Sequence, residues 1–234
     1  MRHRAPYSAA RGLIRMSWNK YNLYNLVKRE LPQPSARKTL YQQRWEAKRL
    51  TRNYHGDRVT ERRWQALSIT SQLPDFANMP PEAKAAAKAL ALRPTIASLT
   101  YAALERRLDT VVFRCLFAPS VYAAKQMVRH GKVKVNGRKL AYPSYNLKDG
   151  DIITVEPSAI QMLSGEAGTD MEYTPKPYSQ PFHFLPEYLE VDYTTCSAVF
   201  LRAPVSRPGR SEVPSPYPPE MHQLAHEFYV RKRG

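Results

Sequence analysis

The pattern of apolar and polar residues is most regular between positions 101 and 156, where it predicts two helices followed by a small sheet. A first helix is predicted from Ala102 to about Leu116, because apolar residues recur every three or four positions on one face. These apolar residues are Leu104, Leu108, Val111 and Cys115. Arg107 and Arg114, seven positions apart, are expected together on a different stripe of that helix.

A second helix is predicted from Ser120, a residue type that caps helix amino termini, to about His130, and Gly131 can end it. Lys125 and Arg129 lie one turn apart and are expected to face outward. The inward face should consist of Val121, Ala124 and Val128.

A β-hairpin is predicted after this helix. Its first strand spans 132–136, and Asn136-Gly137 favours the left-handed backbone angles of a two-residue turn. Because side chains alternate between the two faces of a strand, the valines should face the helices and the lysines should face outward. The valines are Val133 and Val135, and the lysines are Lys132 and Lys134.

The hairpin is followed by a turn at 148–151 and by a strand at 152–155 that is predicted to be buried. Elsewhere, helices are predicted at 36–53, 60–67, 80–92 and 219–231, short strands or turns at 184–191 and 196–201, and an extended connector at 204–219.

The predicted fold class is therefore α+β, with a helical amino-terminal region, a small helix-helix-sheet domain and an extended carboxy-terminal segment. The predicted parts are a basic extended arm (1–35), a helical region (36–100), the small domain (101–156), a linker or insertion (157–183) and the carboxy-terminal segment (184–234).

Charge changes this picture, because 36 basic residues face only 20 acidic ones and the formal net charge is +16. Such an excess favours a polyanionic partner, nucleic acid first and an acidic membrane second. The excess is concentrated in 1–72, with 16 Lys and Arg against 4 acids, and in 101–156, with 10 against 5. Between Val111 and Lys148 there is no acidic residue at all.

The candidate RNA-binding residues are basic side chains of the two positive regions. In the helical region they are accompanied by Tyr41, Trp45, Tyr54 and Trp64, which can either pack in a core or stack on folded RNA. The candidates are Arg44, Lys48, Arg49, Arg52, Arg106, Arg107, Arg114, Lys125, Arg129, His130, Lys132, Lys134 and Arg138.

Other site classes are weakly signalled. Cys115 and Cys196 are the only cysteines and form no metal-binding pair, and His222 and His226 lack a third matched ligand, so no metal and no cofactor is expected. No apolar run approaches the roughly 18–20 residues of a membrane span. The first 29 residues contain seven Lys and Arg and no acid, which suits either a mitochondrial targeting segment or an arm lying on RNA.

The small domain carries a dense series of motifs. The motifs are LERRLD at 104–109, Phe117-Ala118 with Ser120, Lys125-Gln126, VRHG at 128–131, VKVNG at 133–137, Pro143-Ser144-Tyr145 and Gly150-Asp151-Ile152. Together they resemble the RNA-binding domain of the universal small-subunit ribosomal protein family S-four.

Further motifs lie on both flanks of the small domain. The amino-terminal stretches are 17–22, 40–45, 54–56 and 60–64, and the carboxy-terminal ones are 186–192, 200–204 and 227–229 with Arg231. The amino-terminal flank is similar to the fungal mitochondrial form of the family, and the carboxy-terminal flank is similar to the carboxy-terminal segment of the family. The segments 73–98 and 157–183 fall outside the resemblance and are expected to be lineage-specific insertions.

The resemblance implies a structural, non-catalytic role in the matrix of the mitochondrion. It implies binding to a multi-helix junction of small-subunit ribosomal RNA, early in assembly, beside ribosomal protein five and near the channel through which messenger RNA enters. It also implies that the carboxy-terminal segment packs back on the amino-terminal helices. Where bacterial members have arginines after the serine, this chain has Val121 and Tyr122, so that part of the RNA contact is expected to be weakened or moved.

Two alternatives use the same domain. Pseudouridine synthases carry it and use an Arg-Leu-Asp sequence with a catalytic aspartate, which here would be Asp109 in Arg107-Leu108-Asp109. The other alternative is a free factor for ribosome assembly or for stalled ribosomes.

Overall fold

The computed structural model describes residues 12–29, 38–70, 101–161, 163–164, 172–207 and 210–231. Seven helices lie in this part of the chain: α1 (Lys20–Lys28), α2 (Leu40–His55), α3 (Glu61–Thr70), α4 (Ala102–Glu105), α5 (Leu108–Arg114), α6 (Val121–Arg129) and α7 (Pro219–Arg231). The helix predicted at 80–92 falls outside the described residues. None of the described helices is long and apolar enough to cross a membrane.

The strands form one main sheet and two small hairpins. The main sheet contains β1 (Val133–Val135), β2 (Arg138–Lys139), β3 (Asp151–Val155), β6 (Leu189–Asp192) and β7 (Ser197–Phe200). The hairpins are β4 (Leu163–Ser164) with β5 (Glu172–Tyr173), and β8 (Ser206–Arg207) with β9 (Arg210–Ser211).

The order of the main sheet is β2-β1-β3-β7-β6, and every pairing in it is antiparallel. The hairpin of the small domain thus forms one side of the sheet, and two strands from the carboxy-terminal segment form the other. Phe200 and Ala198 of β7 are buried together with Ile153 of β3. The segment 101–156 therefore shares its core with residues near 200.

The predicted single helix from Ala102 to Leu116 is wrong, because the helix is broken at 106–107. Arg107 is extended (φ −72°, ψ 136°), and the backbone N–H groups of Leu108 and Asp109 donate to carbonyls of the loop at 143–145, at 2.9 and 3.1 Å. The apolar face was nevertheless predicted correctly, since all four of its residues are at most 2% exposed.

The second helix and the hairpin are confirmed. Ser120 caps α6 by accepting from the backbone N–H of Ala123, and the turn residues Asn136 and Gly137 have φ of 48° and 78°. The Asn136 side chain also accepts from the backbone N–H of Ile152 and donates to Asp151, both at 2.9 Å, which fixes the turn to β3. The buried strand predicted at 152–155 is only half-buried, because Ile152 is 48% exposed.

The amino-terminal segment packs on the small domain. Ser17 forms a β-bridge with Ser120, and the backbone N–H of Trp18 donates to the Pro119 carbonyl at 2.9 Å. Asn22 of α1 holds this segment from the other side, because its amide bonds both the N–H and the carbonyl of Arg15 at 2.7 Å.

Replacing Trp18 with alanine should therefore lower the free energy of unfolding by about 2–4 kcal/mol. The indole stacks on Phe113 with 4.9 Å between ring centroids and packs against the main core. Urea denaturation of the purified chain would measure the loss. Val27→Ala, at a 71% exposed position of α1, is the control and should change stability by less than about 0.5 kcal/mol.

The carboxy-terminal helix packs back on the amino-terminal helices, as the resemblance implied. Ala47 of α2 is buried with Met221 and Ala225 of α7. Trp64 of α3 is buried with Phe228 and Tyr229. The bounds of α7 agree with the predicted 219–231.

Candidate nucleic-acid interface

The candidate basic residues fall into two groups, those paired with carboxylates inside the protein and those that have no such partner. The difference matters because a paired guanidinium must give up its carboxylate before it can hold a phosphate. The positions of the partners were not visible in the sequence.

On α2, three of the four candidates are paired with other helices. Arg44 lies 2.8 Å from Glu227 of α7, and Lys48 and Arg52 lie 2.7 and 2.9 Å from Glu61 of α3. Tyr229 also donates to Glu61 at 3.2 Å. These ion pairs join α2 to its neighbours.

Arg49 is the exception on α2. It is exposed and its guanidinium lies 4.8 Å from the ring centroid of Trp45, itself 43% exposed. Tyr41 is 67% exposed, whereas Trp64 is 1% exposed and Tyr54 packs against the core. Only Tyr41 and Trp45 of the four aromatic candidates therefore remain available for stacking on RNA.

Arg107 is buried and bonds Asp109 through two nitrogens at 2.9 and 3.1 Å. Asp109 is fully buried and receives a second guanidinium from Arg58, at 3.1 Å. The carboxylate is thus enclosed between two arginines. This geometry gives Asp109 a structural role, because its carboxylate is 0% exposed and is bonded by both guanidinium groups.

Arg114 is also buried, and it donates to both carboxylate oxygens of Glu105 at 2.9 Å and to the Pro214 carbonyl at 2.9 Å. Tyr188 donates to the same carboxylate at 2.9 Å. Burial alone would raise the pKa of Glu105, but the charge of Arg114 and hydrogen bonds from His55 and Arg114 outweigh burial and hold that pKa below its usual range. Glu105 and Arg114 therefore form a buried ion pair.

Two histidines extend this buried cluster. The Nδ1 atom of His55 lies 3.5 Å from Glu105, and the Nε2 atoms of His55 and His222 lie 3.1 and 3.0 Å from the Ser215 hydroxyl. Burial lowers the pKa of both rings, that of His222 to about 3, although Glu105 acts in the opposite direction. The cluster joins α2, α4, α5 and α7. It was not predicted, because its members are far apart in the sequence; His55 and Ser215, for example, are separated by 160 positions.

Acid should therefore destabilise the chain already below about pH 6.5. The pKa values of His55 and His222 are lowered in the folded state, so the unfolded state takes up more protons below that pH. Stability is therefore present above that pH and lost as the pH falls. The loss should reach about 1.4 kcal/mol per pH unit for each fully shifted ring. Denaturation of wild type and His222→Gln at pH 7.5 to 5 measures it, and the variant should show the smaller slope.

An unchanged slope in His222→Gln would contradict the assignment to this cluster. Glu105 contributes in a different window, because its folded-state pKa is lowered and its stabilisation disappears only below its ordinary pKa of 4.5.

The remaining candidates lie on α6, on the hairpin and between these two elements, and we call them together the basic face. No ion pair or side-chain hydrogen bond involves them within the described residues. Arg129, His130, Lys134 and Arg138 are exposed, and Lys125 and Lys132 are partly exposed. Arg106 lies outside this group, because it pairs with Asp149.

Lys139 belongs to the basic face but was not among the candidates. It lies directly opposite Lys134 in the register of β1 and β2, and Thr154 of β3 lies on the other side of Lys134. The two-residue turn at 136–137 implies this pairing, so the sequence contained the signal. Lys132, Lys134 and Lys139 line one cleft of about 340 Å³, whose rim also carries Glu156.

The start of α6 differs from the rest of the basic face. Val121 is 2% exposed, and the Tyr122 hydroxyl donates to Asp57, which also pairs with Arg15. The positions where arginines were expected in bacterial members thus bind other parts of the protein. The expectation that RNA contact is weakened or moved here stays a prediction.

In the part of the chain that the structure describes, no group of three or more His, Cys, Asp or Glu side chains is placed so that it could hold a metal ion. His222 is buried against Ser215 instead.

Comparison with known proteins gives concordant findings. The family model described as S4 domain matches residues 106–153. The chain is 34% identical over 286 aligned positions to the small ribosomal subunit protein uS4m of Schizosaccharomyces pombe, with 100% of this chain and 83% of that protein covered.

Bacterial relatives match a shorter part. Identity is 40% over 128 residues to the small ribosomal subunit protein uS4 of Bradyrhizobium diazoefficiens and 43% over 129 residues to that of Azorhizobium caulinodans. In both cases 55% of this chain and 56% of the relative are covered. Given the S4 domain and the match along the whole chain to uS4m, the chain belongs to the uS4 family of small ribosomal subunit proteins, in its mitochondrial form.

Proposed function

We propose that this chain is a structural component of the mitochondrial small ribosomal subunit, in the matrix, and that it binds small-subunit ribosomal RNA through the basic face. The observation that carries the proposal is the separation of charges. The buried arginines Arg107 and Arg114 are paired with carboxylates, whereas the cations of α6 and the hairpin have no partner within the described residues. A row of unpaired cations on a rigid surface is suited to a phosphate backbone.

The finer proposal is that the RNA is a multi-helix junction bound early in assembly. The resemblance to the S-four family supports it, as does the second exposed pair on α2, where the Arg49 guanidinium lies 4.8 Å from the Trp45 ring and could contact folded RNA in addition to the basic face. Ribosomal protein five and messenger RNA near its channel are proposed as neighbours on the resemblance alone.

Three paired candidates, Arg44, Lys48 and Arg52, are assigned mainly structural roles in this proposal, and so are Arg107 and Arg114. An enzymatic role through Asp109 has no support, because that carboxylate is 0% exposed and bonded by two guanidinium groups.

The test of residence in the ribosome is stoichiometry. Mitochondrial small subunits would be purified, washed in high salt and analysed by quantitative mass spectrometry against their other proteins. We expect one copy of this chain per subunit after the wash. Loss of the chain in the wash would instead indicate a free assembly factor or a stalled-ribosome factor.

A further inference from the structure

A pocket of about 360 Å³ lies beside the lysine cleft, between α6 and the 3-10 turn Pro157–Ala159 that follows β3. The polar residues that line it are Gln126, His130, Lys132, Ser158 and Gln161, and Met127 is among its apolar lining residues. Lys132 lines both the pocket and the lysine cleft, so the two openings adjoin. We name this cavity the α6 pocket.

The polar groups of the α6 pocket have unused hydrogen-bonding capacity. Within the described residues, none of these five side chains takes part in a hydrogen bond or ion pair, and Gln126, His130, Ser158 and Gln161 are exposed. Two amides and a hydroxyl both donate and accept, as the edges of a nucleobase do. The imidazole ring of His130 and the thioether of Met127 supply flat or apolar surface for the face of a base.

The charges of the residues that line the α6 pocket and the lysine cleft indicate which kind of ligand binds there. No acidic residue lines the α6 pocket, and the adjoining cleft presents three lysines to one glutamate. A basic peptide is therefore disfavoured, and a ligand that joins a flat polar ring to a phosphate is favoured. RNA whose bases are unstacked in loops and junctions presents that combination.

We propose that the α6 pocket holds one unstacked nucleobase of the ribosomal RNA, while the lysine cleft holds an adjoining phosphate. This inference rests on the proposed function. It adds a site that recognises a base to a surface that otherwise contacts only the charged RNA backbone. Binding at the basic face then has a component that does not depend on salt.

The first test compares variants of the full chain binding to small-subunit ribosomal RNA transcribed in vitro. Gln126→Ala with Ser158→Ala should weaken binding about three- to thirtyfold and leave the dependence of affinity on salt unchanged, because the groups removed are neutral. Lys134→Ala should instead lower the magnitude of the slope of log affinity against log salt by about one. Gln223→Ala, an exposed glutamine on α7, is the matched control and should bind as wild type.

The second test identifies the base. A photoreactive amino acid at position 126 should crosslink to one nucleotide, and an abasic residue at that nucleotide should weaken binding of wild type but not of the Gln126→Ala, Ser158→Ala variant. Equal weakening of both proteins, or crosslinks spread over many nucleotides, would overturn the pocket while leaving the proposed function intact. If wild type did not bind the RNA, or bound it with an affinity that did not change with salt, the proposed function itself would be overturned.

Discussion

Replacing Glu105 with glutamine should lower the free energy of unfolding by about 3–5 kcal/mol. The substitution keeps the size of the side chain but leaves the buried Arg114 guanidinium without its counter-charge. It also replaces one of two carboxylate oxygens that both have neighbours, since Oε2 accepts from the Tyr188 hydroxyl and Oε1 lies 3.5 Å from Nδ1 of His55. Urea denaturation of the purified chain at neutral pH measures the change.

The control for this prediction is Asp149→Asn, which makes the same chemical change at the partner of Arg106. Asp149 is exposed, its side chain being 58% accessible, so its ion pair should contribute less than about 1 kcal/mol. Similar losses of unfolding free energy in the two variants would contradict the conclusion that the buried cluster around Glu105 stabilises the fold by joining α2, α4, α5 and α7.

Removing three cations from the basic face, with Arg129→Ala, Lys134→Ala and Arg138→Ala combined, should weaken binding to small-subunit ribosomal RNA by about a hundredfold or more. Because the variant neutralises fewer phosphates, its binding releases fewer counterions from the RNA. The magnitude of the slope of log affinity against log salt should therefore fall by about 2–3. All three side chains are exposed, so folding should be unaffected. Filter binding across a salt series measures both quantities.

A matched variant controls for net charge. It combines Lys176→Ala, Arg202→Ala and Arg231→Ala, and so removes the same number of positive charges from exposed positions outside the basic face. This variant should retain most of the affinity and the slope. If both triple variants lost affinity equally, binding would depend on overall charge and not on this surface.

Local signals predicted α6 and the hairpin. Helix capping by Ser120, the alternation of valines and lysines, and the preference of Asn136-Gly137 for left-handed angles all act over a few residues. Such signals do not depend on the rest of the fold, and the structure confirms each of them. The two-residue turn also sets Lys139 opposite Lys134, so this pairing could have been predicted from the sequence.

Long-range contacts account for what could not be predicted. The helix predicted at 102–116 is broken because the backbone N–H groups of Leu108 and Asp109 donate to carbonyls of the loop at 143–145. The carboxylate that pairs with Arg44 lies 183 positions away, on α7. Composition treats every cation alike, and only the fold separates paired from unpaired ones.

The most direct test of the central claim is a cryo-electron microscopy reconstruction of the mitochondrial small subunit that contains this chain. We expect phosphate oxygens at about 3 Å from the cationic nitrogens of Arg129, Lys134 and Arg138, with Arg107 and Arg114 still bonded to their carboxylates. A subunit in which the basic face points to solvent or to another protein, while the RNA lies elsewhere on the chain, would contradict the account.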